Sequence, residues 1–191
     1  RIVFRLLAAK VLQDREHTYA TSWDPTDLLS VLRAIESYYS LPAVLAGKGA
    51  AELAPYAAAW AILREGISFS NISSEDLAFV YENTFVTPEI RRQLGTHSTP
   101  RQLAEYAVSR LELHRFAPET LTIYEPFTGA GVFLVSALRH LRDLLPGEWS
   151  DQERHQFLVQ RLAGDEYDPF ACEVATLSLI LADYPNQNGW H

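Results

Sequence analysis

The stretch Tyr124-Glu125-Pro126-Phe127-Thr128-Gly129-Ala130-Gly131 has the residue types and spacing of a ligand-binding turn. A β-type run, Leu121-Thr122-Ile123-Tyr124, precedes it, and a helix-type run from Val132 to Leu145 follows. Glycine lets a backbone turn sharply and lets a ligand come close, and the next helix presents free N–H groups at its first turn. Gly129 and Gly131 supply that freedom, although a lone G-x-G says little by itself. Leu134 stands where a nicotinamide-binding turn would need its third glycine. The Glu125-Pro126 pair before the glycines is more telling. A carboxylate there repels a pyrophosphate but accepts hydrogen bonds from an ammonium group. The expected ligand is therefore S-adenosylmethionine rather than a dinucleotide.

A second acidic turn, Gly164-Asp165-Glu166-Tyr167-Asp168-Pro169, follows the next β-type segment. A carboxylate at the tip of a second parallel strand can accept from both hydroxyls of a ribose. Glu166 is the first choice, and Asp165 and Asp168 are neighbours that compete for the role. Glu166 lies 35 residues beyond Gly131, later than the roughly 20 typical of nicotinamide sites. A turn at Pro146–Ser150 and an extra helix from about Asp151 to Val159 account for the excess. Each feature also has a plain structural reading. Glu166 suits the start of a helix, where the dipole favours an acid. Phe127 and Phe133 fit a core as well as a ligand wall.

These turns need elements to position them. Residues 1 to about 70 read as helices, beginning with an amphipathic one. Asp24-Pro25-Thr26-Asp27 reads as a helix start, with Asp24 as N-cap and Pro25 at the first helical position. Ala50 to Leu63 is a further alanine-rich helix. Ser73 caps the next helix, which runs towards Phe85, with Asp76 answering three residues on. Pro100 starts a helix through about His114, with Leu103, Ala107, Val108 and Leu111 on one face. Then come strand, glycine loop, helix, second helix, a strand from Arg161 ending near Tyr167, and a helix from Pro169 to about Ala182. That order opens a parallel, doubly wound sheet.

In this order and spacing, residues from about 74 to 183 resemble the γ-type N6-adenine DNA methyltransferases of restriction–modification systems, including type I modification subunits and type IIG enzymes. Their first motif, (D/E)-P-x-x-G-x-G-x-F-L, is matched by Glu125, Pro126, Gly129, Gly131, Phe133 and Leu134. Their second, G-x-E-x-D-P, is matched by Gly164, Glu166, Asp168 and Pro169. Upstream, Tyr81-Glu82 and Gly95-Thr96-His97-Ser98-Thr99-Pro100 stand for a Y-E pair and G-x-(Y/F)-(Y/F)-T-P, with His97 and Ser98 replacing its aromatics. Thr128 and Val132 replace residues that are more often small or polar.

The resemblance implies an α/β fold: a helical N-terminal region, residues 1–94, and the first part of a Rossmann-like S-adenosylmethionine-dependent methyltransferase sheet, residues 95–191. It implies S-adenosylmethionine as cofactor, with Glu125 on its ammonium end beside Pro126, Gly129 and Gly131 giving backbone approach, Glu166 on its ribose, and Thr99 and Pro100 along its methionine side. Thr99-Pro100 equally fits an N-cap and a first-turn proline. The family's catalytic motif, (D/N/S)-P-P-(Y/F/W), does not occur in the 191 residues, so no catalytic residue is assigned and the chain alone is expected to be inactive. Related enzymes that share the glycine loop methylate cytosine N4, RNA or a protein glutamine. A non-catalytic module binding the cofactor or a partner chain is the alternative from another class.

Composition narrows the setting. Hydrophobic residues make up 48% and charged residues 21%, a balance that supports a buried core. No apolar run approaches the roughly 18 residues of a membrane span, and a cytoplasmic location is expected. The single cysteine, Cys172, allows no internal disulfide and reads as a small buried hydrophobe. The six histidines lack metal-ligand spacing, so no metal is expected. Gly47-Lys48-Gly49 lacks the other residues of a phosphate loop. With no methionine at position 1 or elsewhere, the chain reads as processed or cut from something longer. The net charge of −8 opposes a grip on phosphates. Only Arg91, Arg92 and Arg101, and then Arg139, His140 and Arg142, form modest basic clusters. DNA is therefore expected to be held mostly by parts outside this chain, alongside possible specificity or restriction subunits or domains.

Overall fold

The computed structural model of the chain describes residues 2–39, 41–45, 47–81, 83, 89, 99–183 and 190. Two compact units divide between Ile72 and Ser73. The described part is mostly helical, with a small two-stranded parallel sheet, which makes it a partial α/β fold. Among the described residues, no helix is long and apolar enough to cross a membrane.

The first unit is built around helix α1, Ile2–Asp14. Its sequence reads as amphipathic, but the structure buries it from Phe4 to Leu12, charged residues included. The charges are tolerated because each is matched. Arg5 donates through Nη1 to Glu36 Oε1 and to the Pro42 carbonyl, both at 2.5 Å. Lys10 pairs with Asp14, whose other oxygen accepts from the Phe69 amide at 2.7 Å. Helix α2, Leu28–Tyr38, buries Leu28, Val31, Leu32 and Ile35, the stripe that a 3.6-residue period presents. Its N-cap is Asp27, not Asp24 as the sequence suggests, and Asp27 accepts from the Leu29 amide. Asp24 instead closes a turn on the amide and hydroxyl of Thr26. The Pro25 carbonyl is engaged by Trp60 Nε1 at 2.8 Å and by Arg64 at 3.1 Å, so the helix begins after it. Helix α3, Ala50–Gly66, buries Trp60 and leaves most of its alanines exposed.

The second unit opens with α4, Ser74–Val80, capped reciprocally by Ser73 and Asp76 as expected. Helix α5, Arg101–Ser109, follows Pro100 and is shorter than the sequence suggests. It packs through Ala104 and Val108, whereas Leu103 and Leu111 are more than half exposed. Small residues at this contact let α5 lie close to its neighbour, so the longer side chains point outward. Strand β1, Ile123–Glu125, then leads through the glycine loop into α6, Val132–Leu144. Helix α7, Asp151–Arg161, with the Ser150/Glu153 capping box, completes the crossover to β2, Leu162–Gly164. The strands pair in parallel with Glu125 opposite Gly164. Helix α8, Pro169–Ala182, starts from the Asp168 N-cap. Leu134, Leu138 and Leu141 of α6, Leu158 of α7 and Val174 and Ile180 of α8 belong to the core. At the far end of α8, His155 Nδ1 and Trp190 Nε1 both reach Asp183 Oδ2. Burial pushes the Asp183 carboxyl above the usual range, and those contacts offset it only in part.

The Arg5–Glu36 pair gives a direct test of the first unit. Truncating Glu36 takes the counter-charge from a guanidinium whose side chain is only 1% exposed. Glu36→Ala is expected to lower stability by about 3–5 kcal/mol, read as a drop in the urea midpoint at unchanged slope.

Candidate functional site

Parallel strands deliver their carboxyl ends to one edge, and ligands of open α/β sheets bind in the crevice there. Here that edge carries the glycine loop after β1 and the acidic turn after β2, joined by backbone and side-chain bonds. The Asp165 amide donates to the Glu125 carbonyl at 3.0 Å, and the Thr128 amide donates to the Asp165 carbonyl at 3.1 Å. The Thr128 hydroxyl also donates to the Glu125 carbonyl, at 3.1 Å. The Gly129 amide donates across to Glu166 Oε2 at 2.8 Å. Glu166 Oε1 accepts a further bond, from the Asp168 amide at 2.9 Å. Glu125 Oε1 accepts from the Phe127 amide at 3.2 Å.

Glycine is required at particular places. Gly129 and Gly131 take φ of +53° and +87°, where side chains are disfavoured. A Cβ on Gly131 would meet Ala175 Cα of α8 at 3.1 Å, whereas the space around Gly129 is open. Gly164 has an ordinary backbone, but a Cβ there would lie 2.3 Å from Thr128 Oγ1 and 2.9 Å from the Glu125 carbonyl. That contact is what lets the loop lie flat against β2.

Glu125, Pro126, Gly129, Gly131 and Glu166 are thus brought to one crevice. Thr99 and Pro100 stand at the start of α5, and Pro100 caps that helix without a side-chain bond. The bonds of the loop include none from either residue. Arg101, the next residue, lines a cavity of about 30 Å³ with Glu75, Glu105, Ala130, Ser136 and Arg139. The motif residues Glu82 and Gly95 to Ser98, like Arg91 and Arg92, lie outside the described residues. Phe127 is no core residue; it is 85% exposed, as are Tyr167 at 89% and Tyr124 at 55%.

The electrostatics are one-sided. Glu125, Asp165, Glu166 and Asp168 crowd the crevice, and their side-chain bonds come from backbone amides and from the hydroxyls of Tyr124 and Tyr81. The bond to Asp165 raises the Tyr124 hydroxyl above its usual range. Burial, then the charges of Glu166 and Asp168, push up the Cys172 thiol. The nearby cations are committed elsewhere. Arg101 and Arg139 both pair with Glu75 and Glu105, and Arg142 donates to the Ala182 carbonyl. Burial works to raise the Glu75 carboxyl, but hydrogen bonding and charge, chiefly from Arg139, hold it below the usual range. Among the described residues, no group of three His, Cys, Asp or Glu side chains is placed to hold a metal ion.

Sequence reasoning missed the bond between Glu166 and the loop amide, and the part Thr128 plays in docking the loop. Gly164 stood in a motif, yet nothing in the sequence says what would clash with a side chain there.

Comparison with known proteins places these features. Residues 103–190 match the profile of the MmeI DNA-methyltransferase domain. That stretch contains both turns of the crevice. The fold is similar to part of the ATP-dependent Type ISP restriction-modification enzyme LlaBIII, solved bound to DNA. The TM-score is 0.50 at 17% identity, covering 100% of this chain and 13% of that one. The chain therefore spans a small part of the length of that enzyme. No curated protein matches the chain.

The close contact at Gly164 predicts that Gly164→Ala destabilises the second unit by about 1–3 kcal/mol through overpacking. Gly147→Ala, where an added Cβ meets nothing within 4 Å, is expected to stay within about 0.5 kcal/mol. Equal unfolding midpoints for the two variants in guanidinium would contradict the packing described.

Proposed function

We propose that this chain is the S-adenosylmethionine-binding part of a restriction–modification DNA methyltransferase that modifies adenine at N6. In this reading residues 1–94 are the helical N-terminal region and 95–191 the cofactor-binding part of a Rossmann-like domain. The observation that carries it is the pair of carboxylates, Glu125 and Glu166, beside the open space at Gly129, with no lysine or arginine among the described residues bonded to them. Phosphate is the wrong ligand for such a crevice. An ammonium and a ribose diol both donate, and ionised carboxylates keep several lone pairs free after accepting one bond per oxygen. Glu125 would hold the ammonium, Glu166 the ribose, and Gly129 and Gly131 would let the ligand come close to the backbone between them. Thr99 and Pro100 would line the methionine side. The match to the MmeI methyltransferase profile and the likeness to LlaBIII support the class of enzyme. The bound cofactor would supply the methyl group; the protein groups named here bind and orient it.

DNA would be held mainly by other parts of the enzyme, with specificity or restriction elements as further partners, in the cytoplasm. The acidic balance and the paired state of Arg101 and Arg139 support that division of labour.

Isothermal titration should show binding of S-adenosylhomocysteine and none of NADH; the reverse preference sinks the assignment. Glu166→Ala should weaken binding by about 1.5–3 kcal/mol, the value of charge-assisted bonds, and Asp165→Ala by clearly less. Residues 1–191 alone should transfer no labelled methyl group to DNA. Flipping and holding a base needs the motif that this sequence lacks, and turnover above a Gly131→Val control would show that a catalytic group lies within it.

A further inference from the structure

Tyr81 lies far from the crevice in sequence and is absorbed by none of the roles above. It follows α4, is 4% exposed, and packs edge-on against Phe170 with ring centroids 5.4 Å apart. That packing would serve a phenylalanine equally well. The hydroxyl is the extra feature, and a buried tyrosine hydroxyl needs a partner. It donates to Asp168 Oδ2 at 3.3 Å. The other oxygen of Asp168 accepts from the Phe170 amide at 2.9 Å, as the N-cap of α8. With both oxygens held, Asp168 is fixed in orientation, and so is its own amide. That amide donates to Glu166 Oε1, while Gly129 donates to Oε2.

We infer that Tyr81 is a positioning residue for the ribose-binding carboxylate, acting through Asp168. This rests on the reading of Glu166 given above. A glutamate has three side-chain torsions and samples many rotamers unless something holds it. Two amides aimed at its two oxygens leave one orientation, with the remaining lone pairs turned away from the loop. One amide belongs to the glycine loop and the other to the first turn of α8. Tyr81 steadies the second, so an element upstream of the cofactor-binding part takes part in presenting Glu166 to the ligand. A role confined to packing would act on every ligand alike. A role through Glu166 acts only on ligands with a ribose diol to offer it.

The test uses the full 191-residue chain, Tyr81→Phe, and two probes: S-adenosylhomocysteine and its analogue lacking both ribose hydroxyls. The substitution should weaken S-adenosylhomocysteine about 3- to 10-fold, the range of one net hydrogen bond. It should leave affinity for the diol-less analogue unchanged. In the ligand-free chain, hydrogen exchange at the Gly129 and Asp168 amides should quicken. Equal weakening of both probes, or no weakening with unchanged exchange, overturns the inference. If the unsubstituted chain binds neither probe, the ribose reading fails, and the two amides alone decide whether the relay exists. Asp168→Asn, which keeps a good N-cap residue but weakens the acceptor for Tyr81, gives the same pattern in smaller measure and serves if Tyr81→Phe does not fold.

Discussion

A glycine turn between a strand and a helix leaves backbone amides with no partner inside the chain, and a buried or half-buried amide left so is costly. Glu166 answers that need by taking the Gly129 amide on one oxygen and the Asp168 amide on the other. The rest of the second unit hangs on this junction. Helix α6 starts after the Gly131 N-cap and α8 after the Asp168 N-cap, so the carboxylate lies between the starts of two core helices. Gly164 makes the junction possible, because any side chain there would push the loop off β2. In the proposed function, stability and ligand binding would therefore be served by the same few atoms. A carboxylate already shaped by its own backbone needs little reordering when a ligand arrives, which is the physical content of preorganisation.

Much of this was legible in the sequence, and the reasons are local. The cap at Ser73 and the helix starts near Asp151 and at Pro169 depend on residues within a few positions, and the structure has helices starting at Ser74, Asp151 and Pro169. Strand, glycine loop and crossover follow from short-range patterns, and both strands overlap the runs read for them, but the first is shifted to Ile123–Glu125 and the second ends at Gly164 rather than near Tyr167. The losses came where distant partners decide. Asp24 and Asp27 are equally good caps on paper, and the bonds of Trp60 and Arg64 to Pro25 tip the choice. Helix α1 reads as amphipathic, but Arg5 is buried because Glu36, 31 residues away, is its partner. Leu103 and Leu111 have the period of a buried stripe, but Ala104 and Val108 make the contact. The upstream Gly95 to Ser98 segment lies outside the described residues.

Within the crevice the sequence identified the acids but not their geometry. It could not say that Asp165 is tied to Tyr124 while Glu166 faces the loop. The basic clusters were visible too, but not their partners. Arg101 and Arg139 share Glu75 and Glu105 in a network tying α4, α5 and α6 together, which makes them fasteners of the unit before they are anything else.

The three aromatic rings at the crevice, Tyr124, Phe127 and Tyr167, govern how this polypeptide behaves as a colloid. Each presents more than half of its surface to water, and two of them well over four-fifths. Such rings are adhesive at short range. The net charge of −8 repels at long range, over a Debye length of about 10 Å in 0.1 M salt and about 3 Å in 1 M. Salt removes the repulsion and leaves the adhesion. Concentrated stocks of this chain are therefore expected to keep best in dilute buffer, where the charges still hold the rings of neighbouring molecules apart.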